Sequence, residues 1–286
     1  MTGILTADLT GLRDRVTHPQ GDAAQSAAMT APAQLPTYRA DGPDDAPVLV
    51  LGPSLGTTHD VWAPQVSALA RSRRLIRYDL PGHTPDAPIP DETITVDDLA
   101  DGVLALLDSL GVQRFAVGGV SLGGAIAATT AVRAPDRVDR LALCCTSARF
   151  GDAQPWNERA EQARAGGLEP MVDTLIGRWF TAPFTAANPE PVNDIVGMLH
   201  GVDPEGYARC CEAIAAYDLR DRLADIAAPT LVVAGADDPS TPVEHAQVLA
   251  DGIPGARLTV VPAAAHLANV QFPALVTEAI IGHLDG

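Results

Sequence analysis

The chain has 286 residues, of which 47% are hydrophobic, and its formal net charge is −17. So acidic a surface argues against nucleic acid or an anionic membrane as a partner, and no apolar run approaches the ~20 residues that cross a bilayer. The N-terminal sequence lacks the basic region, apolar core and cleavage site of a secretion signal. We therefore expect a cytoplasmic protein with one large domain, or a core with a small insertion.

The order of elements indicates an α/β fold. Residues 1–31 are polar and alanine-rich, and we predict that they form an N-terminal extension. Beyond them, six short runs rich in Val, Leu or Ile end in turn residues and are predicted strands: 47–52, 74–79, 114–119, 140–145, 229–235 and 257–262. Because these runs are continuously apolar, we expect a mostly parallel wound sheet with helices on both faces.

Helical patterns separate the predicted strands. Residues 96–110 carry acids in their first turn and are followed by Gly111, as is typical of a helix. The small residues of 122–133 favour a helix that packs close to the sheet, and 273–284 is predicted to close the fold.

One interval breaks the alternation of strands and helices. The residues between the predicted strands 140–145 and 229–235 show several amphipathic patterns and no strand. We predict that 149–219 forms a helical cap over a core made of 32–148 and 220–286. Ligands of wound sheets bind at the carboxyl ends of the strands, which such a cap would cover.

A glycine-rich turn follows the third predicted strand. The sequence Gly119-Val120-Ser121-Leu122-Gly123 matches G-x-S-x-G, in which a strained turn exposes a nucleophilic serine. The motif alone is weak evidence, because a plain turn has the same composition. A serine nucleophile also needs a base, an orienting carboxylate and an oxyanion hole.

The remaining parts follow other strands. His266 comes directly after the last predicted strand, and either Asp237 or Asp238 follows strand 229–235. This Ser…Asp…His order is that of one known class of triad. We expect the oxyanion hole to use the amide of Leu122 and, counting back from Trp62 through "LGPSLGTTHDVW", that of Leu55.

Residues from about 35 to 284 resemble the α/β-hydrolase family, and in detail its 3-oxoadipate enol-lactonases, which act in the β-ketoadipate pathway of aromatic catabolism. The stretches that carry the resemblance are "SLGTTHDVWAPQ", "GGVSLGGAIA", "GRWFTAPFTAANPEPV", "DPEGYARCCEAIAAYDLRDRLADIAAPTLVVAGADDPSTP" and "AAAHLANVQFP". The family spacing G-x-x-D, counted from Gly235, favours Asp238 over Asp237. The resemblance implies a triad of Ser121, Asp238 and His266, a serine acyl-enzyme, a small-molecule lactone substrate, and no metal or organic cofactor.

Two features depart from this family. Pro53 stands where the family usually has Asn, and "PGHTP" replaces the common "RGHG" turn, which puts the substrate preference in question. A carboxylesterase, a carbon–carbon bond hydrolase and a ligand-sensing homologue without turnover are the alternatives.

The implied lactone carries a carboxylate, which an arginine fork suits. The candidates are the arginines of the predicted cap: Arg149, Arg159, Arg164, Arg178 and Arg209. Arg178 is favoured because it adjoins Trp179 in the family-like "RWF" phrase. The alternatives are that Arg178 is solvated and that Trp179 belongs to the cap core.

The adjacent pairs Cys144-Cys145 and Cys210-Cys211 are expected to be small buried side chains in a reducing compartment.

Overall fold

The computed structural model describes residues 35–286, so the predicted extension 1–31 lies outside the described residues. Within them the chain forms a seven-stranded sheet with the strand order β1-β3-β2-β4-β5-β6-β7. The strands are β1 (Tyr38–Asp41), β2 (Val48–Gly52), β3 (Arg74–Tyr78), β4 (Phe115–Val120), β5 (Val138–Cys144), β6 (Thr230–Gly235) and β7 (Arg257–Val261). The six predicted strands and the mostly parallel wound sheet are confirmed.

Strand β1 was not predicted. It is antiparallel to β3, with Tyr38 opposite Tyr78, whereas all other pairs in the sheet are parallel. Its sequence, YRAD, is short and mostly exposed, as an edge strand can be. It therefore lacks the apolar run that identifies the inner strands.

Helices flank the sheet. Those of the core are α1 (Ala63–Leu69), α2 (Val96–Ser109), α3 (Leu122–Arg133), α9 (Val243–Gly252), α10 (Ala268–Gln271) and α11 (Pro273–Asp285). Helix α2 begins with a capping box: the Asp98 amide donates to the Thr95 hydroxyl at 3.1 Å and the Thr95 amide to the Asp98 carboxylate at 2.8 Å. The predicted helices 96–110, 122–133 and 273–284 are thus confirmed to within a residue.

The segment between β5 and β6 is helical. It contains α4 (Ala153–Gly166), α5 (Val172–Trp179), α6 (Ala182–Ala187), α7 (Pro189–His200) and α8 (Pro204–Ala216). Helix α4 packs along α8. The segment contacts loops that follow sheet strands: the Asp203 amide donates to the Gly82 carbonyl at 2.8 Å, and the Leu267 amide to the Trp179 carbonyl at 3.0 Å. The helices thus cover the edge where parallel strands end.

No helix within residues 35–286 is long and apolar enough to span a membrane. The described cysteines Cys144, Cys145, Cys210 and Cys211 are all buried and unpaired, which confirms the prediction that they are small core side chains.

The start of α3 lies directly against the end of β2. A Cβ added at Gly123 would lie 2.4 Å from the backbone carbon and oxygen of Gly52 and 2.6 Å from the carbonyl oxygen of Pro53. Because these neighbours are backbone atoms, no side chain can rotate away. The glycine is therefore required for the close approach of the start of α3, next to Ser121, to the end of β2.

We predict that Gly123→Ala lowers the free energy of unfolding by about 1–3 kcal/mol, because overpacking forces the backbone to shift. Gly177→Ala is the matched control: Gly177 is exposed in α5, and its added Cβ would meet nothing within 4 Å. A helical Gly→Ala change of this kind should stabilise by roughly 0.5–1 kcal/mol. Urea denaturation followed by circular dichroism measures both, and equal stability of Gly123→Ala and wild type would contradict the prediction.

Candidate active site

Ser121 alone connects β4 to α3. Its backbone angles are φ +57° and ψ −119°, in a region that residues other than glycine rarely adopt. Hydrogen bonds hold this conformation: the Ser121 amide donates to the Cys144 carbonyl at 3.0 Å, and the Thr146 hydroxyl donates to the Ser121 carbonyl at 2.6 Å. Such strain persists only where the surroundings enforce it, and it is frequent at functional sites.

A buried histidine–carboxylate pair lies at the same edge of the sheet. Nδ1 of His266 is 2.8 Å from Oδ2 of Asp238, and both residues are under 5% exposed. Asp237 is exposed, and its carboxylate makes no side-chain hydrogen bond with the described residues. Of the two acids that sequence analysis left open, Asp238 is the one that contacts His266.

The Asp238 carboxylate has a full set of donors. Its Oδ1 accepts from the amides of Ser240 at 2.7 Å and Thr241 at 3.0 Å, and its Oδ2 accepts from the Thr241 hydroxyl at 2.7 Å. Burial raises the pKa of Asp238, but the facing His266 and the Thr241 hydrogen bonds outweigh burial and hold that pKa below its usual range. The carboxylate is therefore ionised near neutral pH, so Nδ1 of His266 carries the proton and Nε2 remains an acceptor.

Gln271 holds the loop that carries His266. Its Oε1 accepts from the Ala265 amide at 3.0 Å, while the next residue after the histidine, Leu267, donates its amide to the Trp179 carbonyl at 3.0 Å. Sequence reasoning missed Gln271, because a glutamine within a helical pattern carries no motif that marks it as a loop anchor.

The amides of Leu55 and Leu122 are buried donors without acceptors. Both residues are at most 5% exposed, and neither N–H has an acceptor among the described residues. Their segments touch, since the Gly123 amide donates to the Pro53 carbonyl at 2.9 Å. Buried amides are nearly always paired in proteins, so two free ones in neighbouring segments indicate a place for an anionic oxygen.

Two further histidines stabilise the loop after β2. Nε2 of His83 accepts from the Gly56 amide at 3.0 Å, and the Asp79 carboxylate accepts from the His59 amide at 2.8 Å and contacts the His59 ring at 2.9 Å. These hydrogen bonds join residues 20 or more positions apart, so no local sequence pattern predicts them.

The "RWF" phrase divides between interior and surface. Trp179 is buried. Its side chain packs next to Gly56, because a Cβ added at that glycine would lie 3.2 Å from Cη2 of Trp179. The side chains of Leu199 and Tyr207 contact the same point of the loop. Arg178 is exposed and makes no ion pair or side-chain hydrogen bond within residues 35–286. The Trp179 side chain therefore packs against the loop that carries Leu55, whereas the Arg178 side chain lies on the exposed side of α5.

Three of the other cap arginines are neutralised by acids. Arg149 contacts Asp152 at 3.2 Å, and Arg164 and Arg209 each contact Glu205 at 2.7 Å.

Arg159 differs from these three arginines. It is half-buried, its guanidinium lies 4.6 Å from the centroid of the Trp156 ring, and no described carboxylate pairs with it. Tyr207 is fully buried, and its hydroxyl makes no well-formed hydrogen bond with the described residues, although the Arg159 guanidinium lies close to it. Burial raises the pKa of Tyr207, and the nearby Arg159 guanidinium partly offsets that rise. Arg159 and the Tyr207 hydroxyl are therefore close polar groups on the packed helices α4 and α8, and no described carboxylate neutralises Arg159.

The parts of the candidate site lie at one edge of the sheet because of the strand order. Ser121 follows β4, Asp238 follows β6, His266 follows β7 and Leu55 follows β2, all at the carboxyl edge. A hydroxyl on a strained turn, an oriented imidazole and free amides are the groups that acyl transfer requires. Across residues 35–286, no three His, Cys, Asp or Glu side chains are grouped so as to hold a metal ion.

Comparison with known proteins agrees with this architecture. The profile of the alpha/beta hydrolase fold family matches residues 47–169, and that of the TAP-like proteins matches 208–283. The chain is 36% identical over 243 residues to 3-oxoadipate enol-lactonase 2 of Acinetobacter baylyi, covering 85% of this chain and 90% of that protein. It is 30% identical over 233 residues to a protein of Rhizobium rhizogenes named as a carbamate hydrolase, RutD, covering 80% and 89% of the two chains.

The crystal structure of the enol-lactonase from Burkholderia xenovorans LB400 superposes with a TM-score of 0.85 at 37% identity, over 87% of this chain and 96% of that one. These relatives support hydrolysis of an ester or a lactone. On fold and on sequence, the chain belongs to the α/β-hydrolase family.

Proposed function

We propose that this protein opens 3-oxoadipate enol-lactone to 3-oxoadipate through an acyl-enzyme on Ser121. The observation that carries the proposal is the buried Asp238–His266 pair, 2.8 Å apart, at the sheet edge that also carries Ser121 and two unpaired amides. The 36% identity to an enol-lactonase supports the choice of substrate.

In the first step Nε2 of His266 accepts the hydroxyl proton of Ser121 as Oγ attacks the lactone carbonyl. The Asp238 carboxylate stabilises the imidazolium that forms. The amides of Leu55 and Leu122 donate to the new oxyanion. Losing one such donor typically costs ~2.7–4 kcal/mol of transition-state stabilisation.

Collapse of the tetrahedral intermediate breaks the ring C–O bond and expels an enolate, which the His266 imidazolium protonates. The leaving group stays tethered to the acyl chain and could close the ring again. Tautomerisation of the enol to a ketone removes that nucleophile. Water, deprotonated by His266, then attacks the acyl carbon and releases 3-oxoadipate and free Ser121.

The carboxylate arm of the substrate needs a cation in a protein with a net charge of −17. Of the five candidate arginines, Arg159 and Arg178 have no described acid partner. Arg159 is half-buried beside Tyr207, whose ring reaches the loop at Gly56, whereas Arg178 is exposed. These contacts support Arg159 over the sequence-based choice of Arg178, with Trp179 as an apolar wall near the reacting carbonyl.

We expect kcat/KM for enol-lactone to exceed that for p-nitrophenyl acetate and for a p-nitrophenyl carbamate by at least ~100-fold, about 2.7 kcal/mol of transition-state discrimination. Ultraviolet loss of the enol-lactone measures turnover, with Ser121→Ala as the inactive control. The similarity to RutD makes a carbamate the second candidate substrate, and a preference for it would replace the proposal. No turnover of any of the three would favour the ligand-sensing alternative.

Asp238→Asn should lower kcat about 10⁴-fold, because the amide no longer holds His266 in the required tautomer. Asp237→Asn is the matched control on the adjacent exposed acid, and its kcat should stay within about twofold of wild type. Steady-state assays on p-nitrophenyl acetate and on enol-lactone give both values. Similar losses of kcat in Asp238→Asn and Asp237→Asn would show that Asp238 is not the carboxylate that orients His266.

Arg159→Gln should raise KM for the anionic enol-lactone about tenfold or more and leave KM for neutral p-nitrophenyl acetate within about twofold, since a charge-assisted hydrogen bond is worth ~1.5–3 kcal/mol. Arg178→Gln removes the same charge from the same cap and should change neither value. If instead Arg178→Gln shows the selective rise, the sequence-based assignment is correct and Arg159 is not the carboxylate ligand.

A further inference from the structure

His83 lies in the turn after β3, and both of its ring nitrogens are engaged. The residue is 1% exposed. Nε2 accepts from the Gly56 amide at 3.0 Å, and Nδ1 donates to the Pro81 carbonyl at 2.9 Å. Since Nδ1 faces a carbonyl and Nε2 faces an amide, only the neutral tautomer with its proton on Nδ1 satisfies both contacts.

The ring stays neutral in the pH range in which His266 would act as a base. Burial lowers the pKa of His83 to about 4, against the opposing effects of the Pro81 hydrogen bond and the Asp79 carboxylate. Its Nε2 therefore remains an acceptor near neutral pH and does not compete for the proton of Ser121.

The amide that His83 holds adjoins the free donor. Gly56 follows Leu55 directly and has φ +83°, and the Ser54 carbonyl accepts both the amide of Thr57 at 3.0 Å and its hydroxyl at 2.9 Å. The N–H of Leu55 has no acceptor among the described residues, whereas the N–H of the next residue, Gly56, is bonded to His83. With Gly56 held by His83 and the turn closed by Thr57, the Leu55 amide has little freedom to rotate.

The cap in turn positions the histidine. The Tyr207 ring stacks on His83 with centroids 6.5 Å apart and planes inclined by 20°. The Asp203 amide donates to the Gly82 carbonyl at 2.8 Å, and a Cβ at Gly206 would lie 2.5 Å from the Pro81 oxygen. The start of α8 is therefore in close contact with the turn that carries His83.

We propose that His83 is a positioning residue: it orients the Leu55 amide toward the oxyanion, and the start of α8 keeps His83 in place. The proposal rests on the proposed function, because it assumes that Leu55 donates in the reaction. His83 itself touches no reacting atom. Its loss should affect stabilisation of the transition state more than binding of the substrate.

His83→Phe and His83→Gln separate this role from simple packing. Phe retains a ring against Tyr207 but no acceptor, whereas Gln retains an acceptor for Gly56 but no ring. On p-nitrophenyl acetate we expect His83→Phe to lower kcat roughly 10–100-fold, with KM within about twofold, because a small misplacement of a catalytic donor costs up to ~10². The decrease in log kcat for His83→Gln should be at most half of the decrease for His83→Phe.

Two results would overturn the proposal: a wild-type kcat in folded His83→Phe, or a loss in His83→Gln as large as that in His83→Phe. Should His83→Phe not fold, ¹⁵N NMR of the wild-type imidazole decides the matter. An unprotonated Nε2 and a pKa well below 6 are expected, and a protonated Nε2 at pH 7 contradicts the proposal. Failure of the proposed function is distinguishable. If wild type turns over p-nitrophenyl acetate through Ser121 but not enol-lactone, the substrate assignment fails and the His83 comparison still stands. If wild type shows no Ser121-dependent turnover of any substrate, the serine mechanism itself fails.

Discussion

The hydrogen bond between Asp238 and His266 is the interaction on which the site depends. A serine hydroxyl is almost fully protonated near neutral pH, so it becomes a nucleophile only if a base takes its proton during attack. The Asp238 carboxylate is buried yet satisfied by Ser240, Thr241 and the imidazole, which keeps it ionised in a position that otherwise disfavours charge. That charge fixes the histidine proton on Nδ1 and leaves Nε2 as an acceptor.

The loops around this pair are held by hydrogen bonds from their amides to side chains. Backbone groups away from water need partners, and here side chains supply them: Gln271 for the loop of His266, and His83 and Asp79 for the loop of Leu55. Within the same loops, the amides of Leu55 and Leu122 have no acceptor among the described residues. The helices between β5 and β6 contribute through the Trp179 carbonyl, which accepts from the Leu267 amide, and through the Tyr207 ring, which stacks on His83.

Sequence reasoning predicted the six parallel strands, because they are short apolar runs, and it placed His266 and the acids after strand 229–235 at the same sheet edge, where His266 and Asp238 are in contact. It could not choose between Asp237 and Asp238 from the residues alone, since adjacent residues after a strand point in different directions and only one can face the imidazole. It favoured Arg178 from its neighbour Trp179, and the structure shows Trp179 buried and Arg178 exposed because neighbours on a helix point about 100° apart. Strand β1 and the roles of Gln271 and His83 depend on long-range contacts that leave no local pattern.

The most direct test of a nucleophile activated by this pair is stoichiometric labelling with an aryl phosphate triester such as diethyl p-nitrophenyl phosphate, followed by intact mass and peptide mass spectrometry. We predict one phosphoryl adduct per chain, located on Ser121, formed with release of one equivalent of p-nitrophenolate and greatly slowed by His266→Ala. An adduct on another residue, or labelling of Ser121 at an unchanged rate in His266→Ala, would contradict the account.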